Sequence, residues 1–231
     1  MKEKFIDNPY VKRYDGLISA IEIVLVVAIA LLCATLFQRD VSSLRGIQGP
    51  SMQPLFNGYE DYTSAQWRET RDSVYITRLS PIRRGDIVVF TEKSADGKYM
   101  KDEDGNYLSI IKRVIGLGGD TVMFSRDGDG HIRVKVNGEF INEDYLGTVD
   151  GRDYRRDGMK EGSVTLDEEY SVPDKTYYLL GDNRGNSKDS RALGAIAATD
   201  IEGKAYMKIV PGENFWDGLW KLVFYGDNGM A

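Results

Sequence analysis

Hydrophobic residues in this chain form one long run followed by many short ones. Leu17 to Phe37 (LISAIEIVLVVAIALLCATLF) is 21 residues with one charge, Glu22. As a helix, a run of that length covers the roughly 30 Å hydrocarbon core of a bilayer. Beyond it the pattern shortens. Val74–Thr77, Asp86–Phe90, Ser109–Ile115, Thr121–Phe124, His131–Val136, Glu139–Ile141, Thr176–Leu180 and Ala205–Val210 are β-branched and aromatic stretches bounded by Gly, Pro and Asp, which is the strand signal. Asn137-Gly138 joins two of them as a hairpin. Polar, turn-rich sequence fills 55–71 and 91–106, while 142–171 is acidic and irregular. No helical periodicity is sustained outside the first run. The pattern therefore predicts a mainly β chain behind an N-terminal transmembrane helix. Its parts are a tail over 1–16, the anchor over 17–37 and a β domain over 38–231. Within that domain, 125–175 reads as a variable β insertion and 212–231 as an aromatic tail.

Charge orients the anchor. Lys2, Lys4, Lys12 and Arg13 precede the apolar run, and Arg39 and Arg45 are the nearest cations after it. The positive-inside bias puts the N-terminus in the cytoplasm and 38–231 outside it, in a single-pass cell-membrane protein. Gln38-Arg39-Asp40 offers no small-x-small cleavage site, which favours an uncleaved anchor over a removable signal peptide. The net charge of −6 excludes the basic face that nucleic-acid binding requires. One cysteine, Cys33, and one histidine, His131, exclude an internal disulfide framework and a conventional zinc site. Calcium is disfavoured in the Asp182–Arg191 loop by its own cations. No metal or organic cofactor is implied. His131, between a turn and a strand, reads as structural.

With histidine scarce, the candidate chemistry rests on other side chains. Pro50 and Pro54 stiffen the chain on both sides of Ser51. The stretch is either a turn after the apolar run or a serine presented as a nucleophile. Only 14 positions separate Phe37 from Ser51, so Ser51 stays within roughly 45 Å of the membrane exit. Lys112 shares a strand face with Ile110 and Val114. It is either a solvated strand lysine or, if buried, an amine whose pKa falls from about 10.4 far enough to act as a base. Asp182–Arg191 packs charges densely around two glycines. It reads as a solvated surface loop or as one held by its own ion pairs in support of a neighbour. The aromatic tail fits an interfacial membrane contact as well as core packing.

Four separated motifs in one order resemble the bacterial type I signal peptidases, in the Gram-positive-like form with a single anchor. They are Gly49-Pro50-Ser51-Met52-Gln53-Pro54; Arg84 to Phe90; Lys112 to Asp120; and Gly181 to Arg191, followed by Gly194 and Ile201-x-Gly203-Lys204-Ala205. The resemblance covers the anchor and about residues 44–210. It implies two antiparallel β-sheet regions with the site at the end facing the membrane. Ser51 becomes the nucleophile and Lys112 the general base, with Ser187 hydrogen-bonding the amine. Asp189 and Arg191 form a supporting ion pair, Asp182 and Arg184 stabilise the same loop, and Met52 packs beside the site. The implied substrates are preproteins emerging from the translocation machinery, with small residues at −1 and −3, cleaved at the bilayer surface. They lie as an added strand between Ile47–Pro50 (Ile47, Gly49, Pro50) and Ser109–Ile111 (Ser109, Ile110, Ile111).

Three positions depart from the family pattern. Leu55 stands where Thr is common, Gly118-Gly119 replaces Pro-Gly, and Gly49 stands where some members carry a serine that helps hold the oxyanion. One missing oxyanion donor costs ~10²–10³ in rate. Two other readings remain at this stage: a relative with a narrow client range, and an inactive membrane-anchored protein that binds exported chains.

Overall fold

The structure, a computed structural model, describes residues 9–36, 43–47, 49–56, 72–94, 96–101, 105, 107–149, 152–154, 159, 162 and 164–219. The loop expected over 57–71, the tail beyond 219 and much of 150–163 lie outside these. The chain divides into two units, Met1–Ser43 and Leu44–Ala231.

The first unit is helix α1, Pro9–Leu36, which begins eight residues before the apolar run. Every described side chain from Leu17 to Cys33 is exposed, including Leu25, Val26 and Leu31. No helix among the described residues is long and apolar enough to cross a membrane.

The second unit is mainly β, in curled antiparallel sheets. Its strands are β1 (Ser43–Gly46), β2 (Ser73–Thr77), β3 (Ile87–Thr91), β4 (Ser109–Leu117), β5 (Thr121–Arg126), β6 (Ile132–Val136), β7 (Glu139–Phe140), β8 (Thr148–Val149), β9 (Arg152–Asp153), β10 (Tyr170–Ser171), β11 (Thr176–Leu180), β12 (Ile196–Ala197) and β13 (Ile201–Ile209), with a short helix α2 (Ser190–Leu193) before β12. Seven form one sheet in the order β1-β2-β13-β3-β4-β11-β12. Four form a second in the order β10-β5-β6-β7, and β8 pairs with β9.

Strand patterning explains the layering. β2 buries Val74 and Ile76 on one side together with Ala205 of β13. A register shift between Ala205 and Met207 then makes Met207 and Ile209 the partners of Tyr75 and Ser73, so these two are buried on the opposite side. Residues of β3 and β4 are buried on both faces, so those strands read as continuous apolar runs. One face of the large sheet packs Val89, Ile111, Val74 and Ile76 against Ile47, Met52 and Phe56. The other packs Val88, Phe90, Val114 and Leu179. The second sheet folds over its own cluster, including Val122, Val134, Val136 and Tyr178.

The described start of the aromatic tail is packing surface. Phe215 meets the Tyr75 ring edge-on at 5.1 Å, and Gly218 lies against Ile209 and Met207, while Trp216 is exposed. β13 begins at Ile201, four residues before the run read from the sequence. His131 turns the chain before β6, its main-chain N–H donating to Asp127 Oδ1 at 2.9 Å.

Candidate active site

Ser51 sits in a tight turn pinned from below. Gln53 N–H donates to the Pro50 carbonyl at 3.1 Å and Phe56 N–H to the Met52 carbonyl at 2.9 Å. Met52 and Phe56 are buried in the same cluster as Ile47 and Ile111. The peptide before Pro54 is cis. From the other side Asn183 clasps the turn: its main-chain N–H donates to the Ser51 carbonyl at 3.0 Å, and its amide to the Pro50 carbonyl at 3.1 Å.

Lys112 reaches this turn from β4. Its Nζ stands 2.7 Å from Ser51 Oγ and donates to the Ile111 carbonyl at 2.7 Å. The lysine is 2 % exposed. Burial lowers its pKa to about 8, against the opposing pull of Asp189, Asp182 and Glu92. At pH 7 roughly a tenth of the amine is then neutral, and a neutral amine at this distance can accept a proton from a hydroxyl.

The loop after β11 packs against the Ser51 turn through Asn183. Arg191 grips Asp189 through two bonds of 2.8 Å, and Asp189 also accepts from Gly181 N–H at 3.0 Å while capping α2. Burial raises the Asp189 carboxyl, but the Arg191 bonds and charge outweigh it and hold the pKa low. Asp182 and Arg184 do not pair with each other. Asp182 takes Arg113 of β4 in two bonds of 2.9 and 2.7 Å, and Arg113 stacks on Tyr145 at 4.0 Å. Arg184 Nη1 lies 2.6 Å from Glu143 Oε1, Nη2 donates to Tyr145 at 3.0 Å, and Nε donates to the Gly181 carbonyl at 3.1 Å. The loop is thus tied to β4 and to the segment after β7.

Ser187 is where the geometry departs from expectation. The Lys112 amine bonds Ser51 Oγ and the Ile111 carbonyl, not Ser187. The Ser187 hydroxyl is buried beside Asp189 and favours its ionised form. Gly181 sets how closely this loop approaches the Ser51 turn. A Cβ there would overlap both Ser187 Oγ and the Ser51 carbonyl oxygen, so the glycine lets the two segments meet.

Beside the pair opens a groove of about 250 Å³, lined among others by Ile47, Ser51, Ser109, Ile110, Ile111 and Lys112. Gly49 and Pro50 are not part of its lining. Leu108 and Val114 bond toward β3. By antiparallel alternation Ile110 and Lys112 do the same, while Ser109 and Ile111 aim their main-chain groups away. β11 reaches β4 only from Arg113 onward. Among the described strands none pairs with this side of Ser109 to Lys112, which faces the groove as a strand edge. Three further charged lining residues were not legible in the sequence as part of the site: Arg45, Glu92 and Lys188. Glu92 is buried, and Lys188 of the loop closes on it as an ion pair. Such partners lie about a hundred positions apart, and no local pattern signals them. Gly49 has φ of +79° with open space around its α-carbon. No cluster of three His, Cys, Asp or Glu side chains able to hold a metal occurs among the described residues.

A serine hydroxyl against a buried lysine amine, at a strand edge, is the arrangement of a serine endopeptidase. Residues 20–210 match the family described as signal peptidase, peptidase S26, and the chain belongs to it. It is 32% identical to signal peptidase I of Bacillus caldolyticus over 179 residues, covering 73% of this chain and 80% of that one. It is 28% identical to signal peptidase I of Bacillus amyloliquefaciens over 189 residues, covering 80% and 85%. Signal peptidase I S of Bacillus subtilis (strain 168) is 27% identical over 208 residues, covering 88% of each.

Proposed function

We propose that this serine endopeptidase removes signal peptides from exported preproteins with Ser51 as nucleophile and neutral Lys112 as general base. The observation that carries this reading is the 2.7 Å approach of a buried lysine amine to Ser51 Oγ. Lys112 Nζ takes the hydroxyl proton as Oγ adds to the scissile carbonyl. The ammonium then gives that proton to the leaving amine as the peptide bond breaks, which leaves an acyl-enzyme. Water, deprotonated by the neutral amine, attacks the ester and frees Ser51. The Ser51 main-chain N–H receives the developing oxyanion, since Gly49 has no side-chain donor to add.

The substrate lies along Ser109–Ile111 as an added strand. Ile47, Ile110 and Ile111 shape shallow pockets for small residues at −1 and −3. Asp182, Arg184, Asp189 and Arg191 hold the loop that clasps the Ser51 turn. Ser187 fixes the approach of Gly181 to Ser51.

The same reading makes Leu17–Phe37 a single-pass anchor with the N-terminus cytoplasmic and the β domain outside. It is supported by the 21-residue apolar run and the cations before it. Full-length protein is expected to stay with membranes through alkaline washing, and release into the wash would argue against an anchor.

The mechanism is tested by incubating a preprotein in detergent with wild type, Ser51→Ala and Lys112→Met. Both variants should lose processing by at least about 10³-fold. Undiminished cleavage by either removes the mechanism.

A further inference from the structure

Two polar residues line the groove from strands that are far apart in the sheet: Arg45 of β1 and Ser109 of β4. β2, β13 and β3 stand between those strands. One carboxylate reaches both. Arg45 Nε donates to Glu202 Oε2 at 2.9 Å, and Ser109 Oγ donates to Oε1 at 2.5 Å. Thr91 Oγ1 of β3 adds a third bond to Oε1 at 3.0 Å. Glu202 belongs to β13, so the tie crosses the curled sheet from one groove wall to the other.

The local backbone is built for this. Along β13 the pairing with β3 steps from Ile201↔Phe90 to Gly203↔Val89, which makes Glu202 the extra residue of a β-bulge. Bulges re-aim a side chain at the cost of a ladder bond. Thr91 and Ser109 are cross-strand partners on one face, and the bulge brings the carboxylate to both hydroxyls. Burial raises the Glu202 carboxyl, but bonds from Ser109, Arg45 and Thr91 outweigh it and keep the group ionised. Charge-assisted bonds of this kind are about twice as strong as neutral ones.

We propose that Glu202 is a positioning residue that fixes the width of the groove. It holds Arg45 and Ser109 at a set separation, so the groove rejects large side chains on the substrate strand. The proposal rests on reading the groove beside Ser51 and Lys112 as the substrate channel. Glu202 does not line the groove itself and acts through the two residues that do.

The test compares wild type, Glu202→Gln, Arg45→Met and the double variant in detergent, on peptide substrates with Ala or Leu at −3. Each single variant should raise KM for the Ala peptide about tenfold with kcat within about twofold. Discrimination against the Leu peptide should fall by a similar factor. The double variant should be no worse than the poorer single one, because both cut the same tie. Unchanged KM and discrimination, a loss confined to kcat, or additive losses in the double variant would overturn the proposal. If Glu202→Gln fails to fold, Arg45→Met carries the same expectation, since Arg45 is a partly exposed rim residue. Failure of the catalytic reading is a separate outcome: wild type would cleave neither peptide, or Ser51→Ala would cleave both as well as wild type.

Discussion

At the scale of single residues, the chemistry turns on one proton. Lys112, with its pKa lowered to about 8 by burial, is mostly charged at pH 7 and mostly neutral at pH 9. Catalysis needs the neutral amine, so kcat/KM should rise about tenfold between those pH values and level off above them. A flat profile over that range would contradict the base assignment. Glu92 raises the same pKa, so Glu92→Gln should move the inflection to lower pH, and an upward shift would count against that electrostatic coupling. The sign for stability follows from linkage. Below pH 8 the amine is charged in both folded and unfolded chains, and the folded state carries the full burial cost. Between about 8 and 10.5 the unfolded chain binds more protons, so wild-type stability rises with pH. Lys112→Met should therefore stabilise the fold at pH 7, by on the order of 3 kcal/mol before packing changes. That advantage should shrink in urea titrations at pH 10. Gly181 makes the complementary point about space. Gly181→Ala forces a methyl into Ser187 and the Ser51 carbonyl, and should cost about 10²-fold in kcat through displacement of the nucleophile. Near-wild-type kcat would show that the turn can yield.

At the scale of elements, the structure separates what local pattern encodes from what it does not. β4 was legible because its apolar run is long and continuous, and β11 because turn residues bracket it. The Ser51 turn was legible because two prolines stiffen it. The density of charge in 181–191 signalled a loop held by ion pairs, but not its partners. Asp182 and Arg184 reach out to Arg113 and Glu143, which lie tens of positions away in sequence. Glu143 sits in the stretch read as acidic and irregular, with no residue of it singled out, yet it is 1 % exposed. β1 and β12 are too short to show a period, and pairing with distant neighbours defines them. Gly49 carries a related lesson. Its φ of +79° lies in the left-handed region, so a serine supplying an oxyanion donor there would bear about 1–2 kcal/mol of backbone strain. The loop's outward tether makes a stability prediction. Arg184→Met removes the nearer partner of the buried Glu143 charge, leaving Arg133 at 3.6 Å, and should cost about 3 kcal/mol in urea unfolding. Adding Glu143→Leu should recover much of that loss, whereas no recovery would place the cost in packing around Tyr145.

At the scale of the whole catalytic unit, the curl of the seven-stranded sheet decides what the site can bind. Three strands separate β1 from β4 in the ladder, yet both line one groove. An extended peptide laid there finds the strand edge of Ser109–Lys112 on one side and the wall of Arg45–Ile47 on the other. Affinity then comes from main-chain bonds that any sequence offers, which leaves the pockets to select by size. This geometry assigns each amide of β4 a distinct fate on binding. Leu108 and Val114 bond toward β3, so Ile110 falls on the paired side, and Ser109 and Ile111 face the groove. In the Ser51→Ala protein, hydrogen exchange at Ser109 and Ile111 should slow when a signal-peptide substrate is added, while exchange at Ile110 should not change. The alternation discriminates between modes of binding. A peptide held only by side-chain pockets would protect neither amide, and one that rigidified the whole strand would protect all three. Slowing confined to the odd-numbered positions is the pattern that an added strand requires.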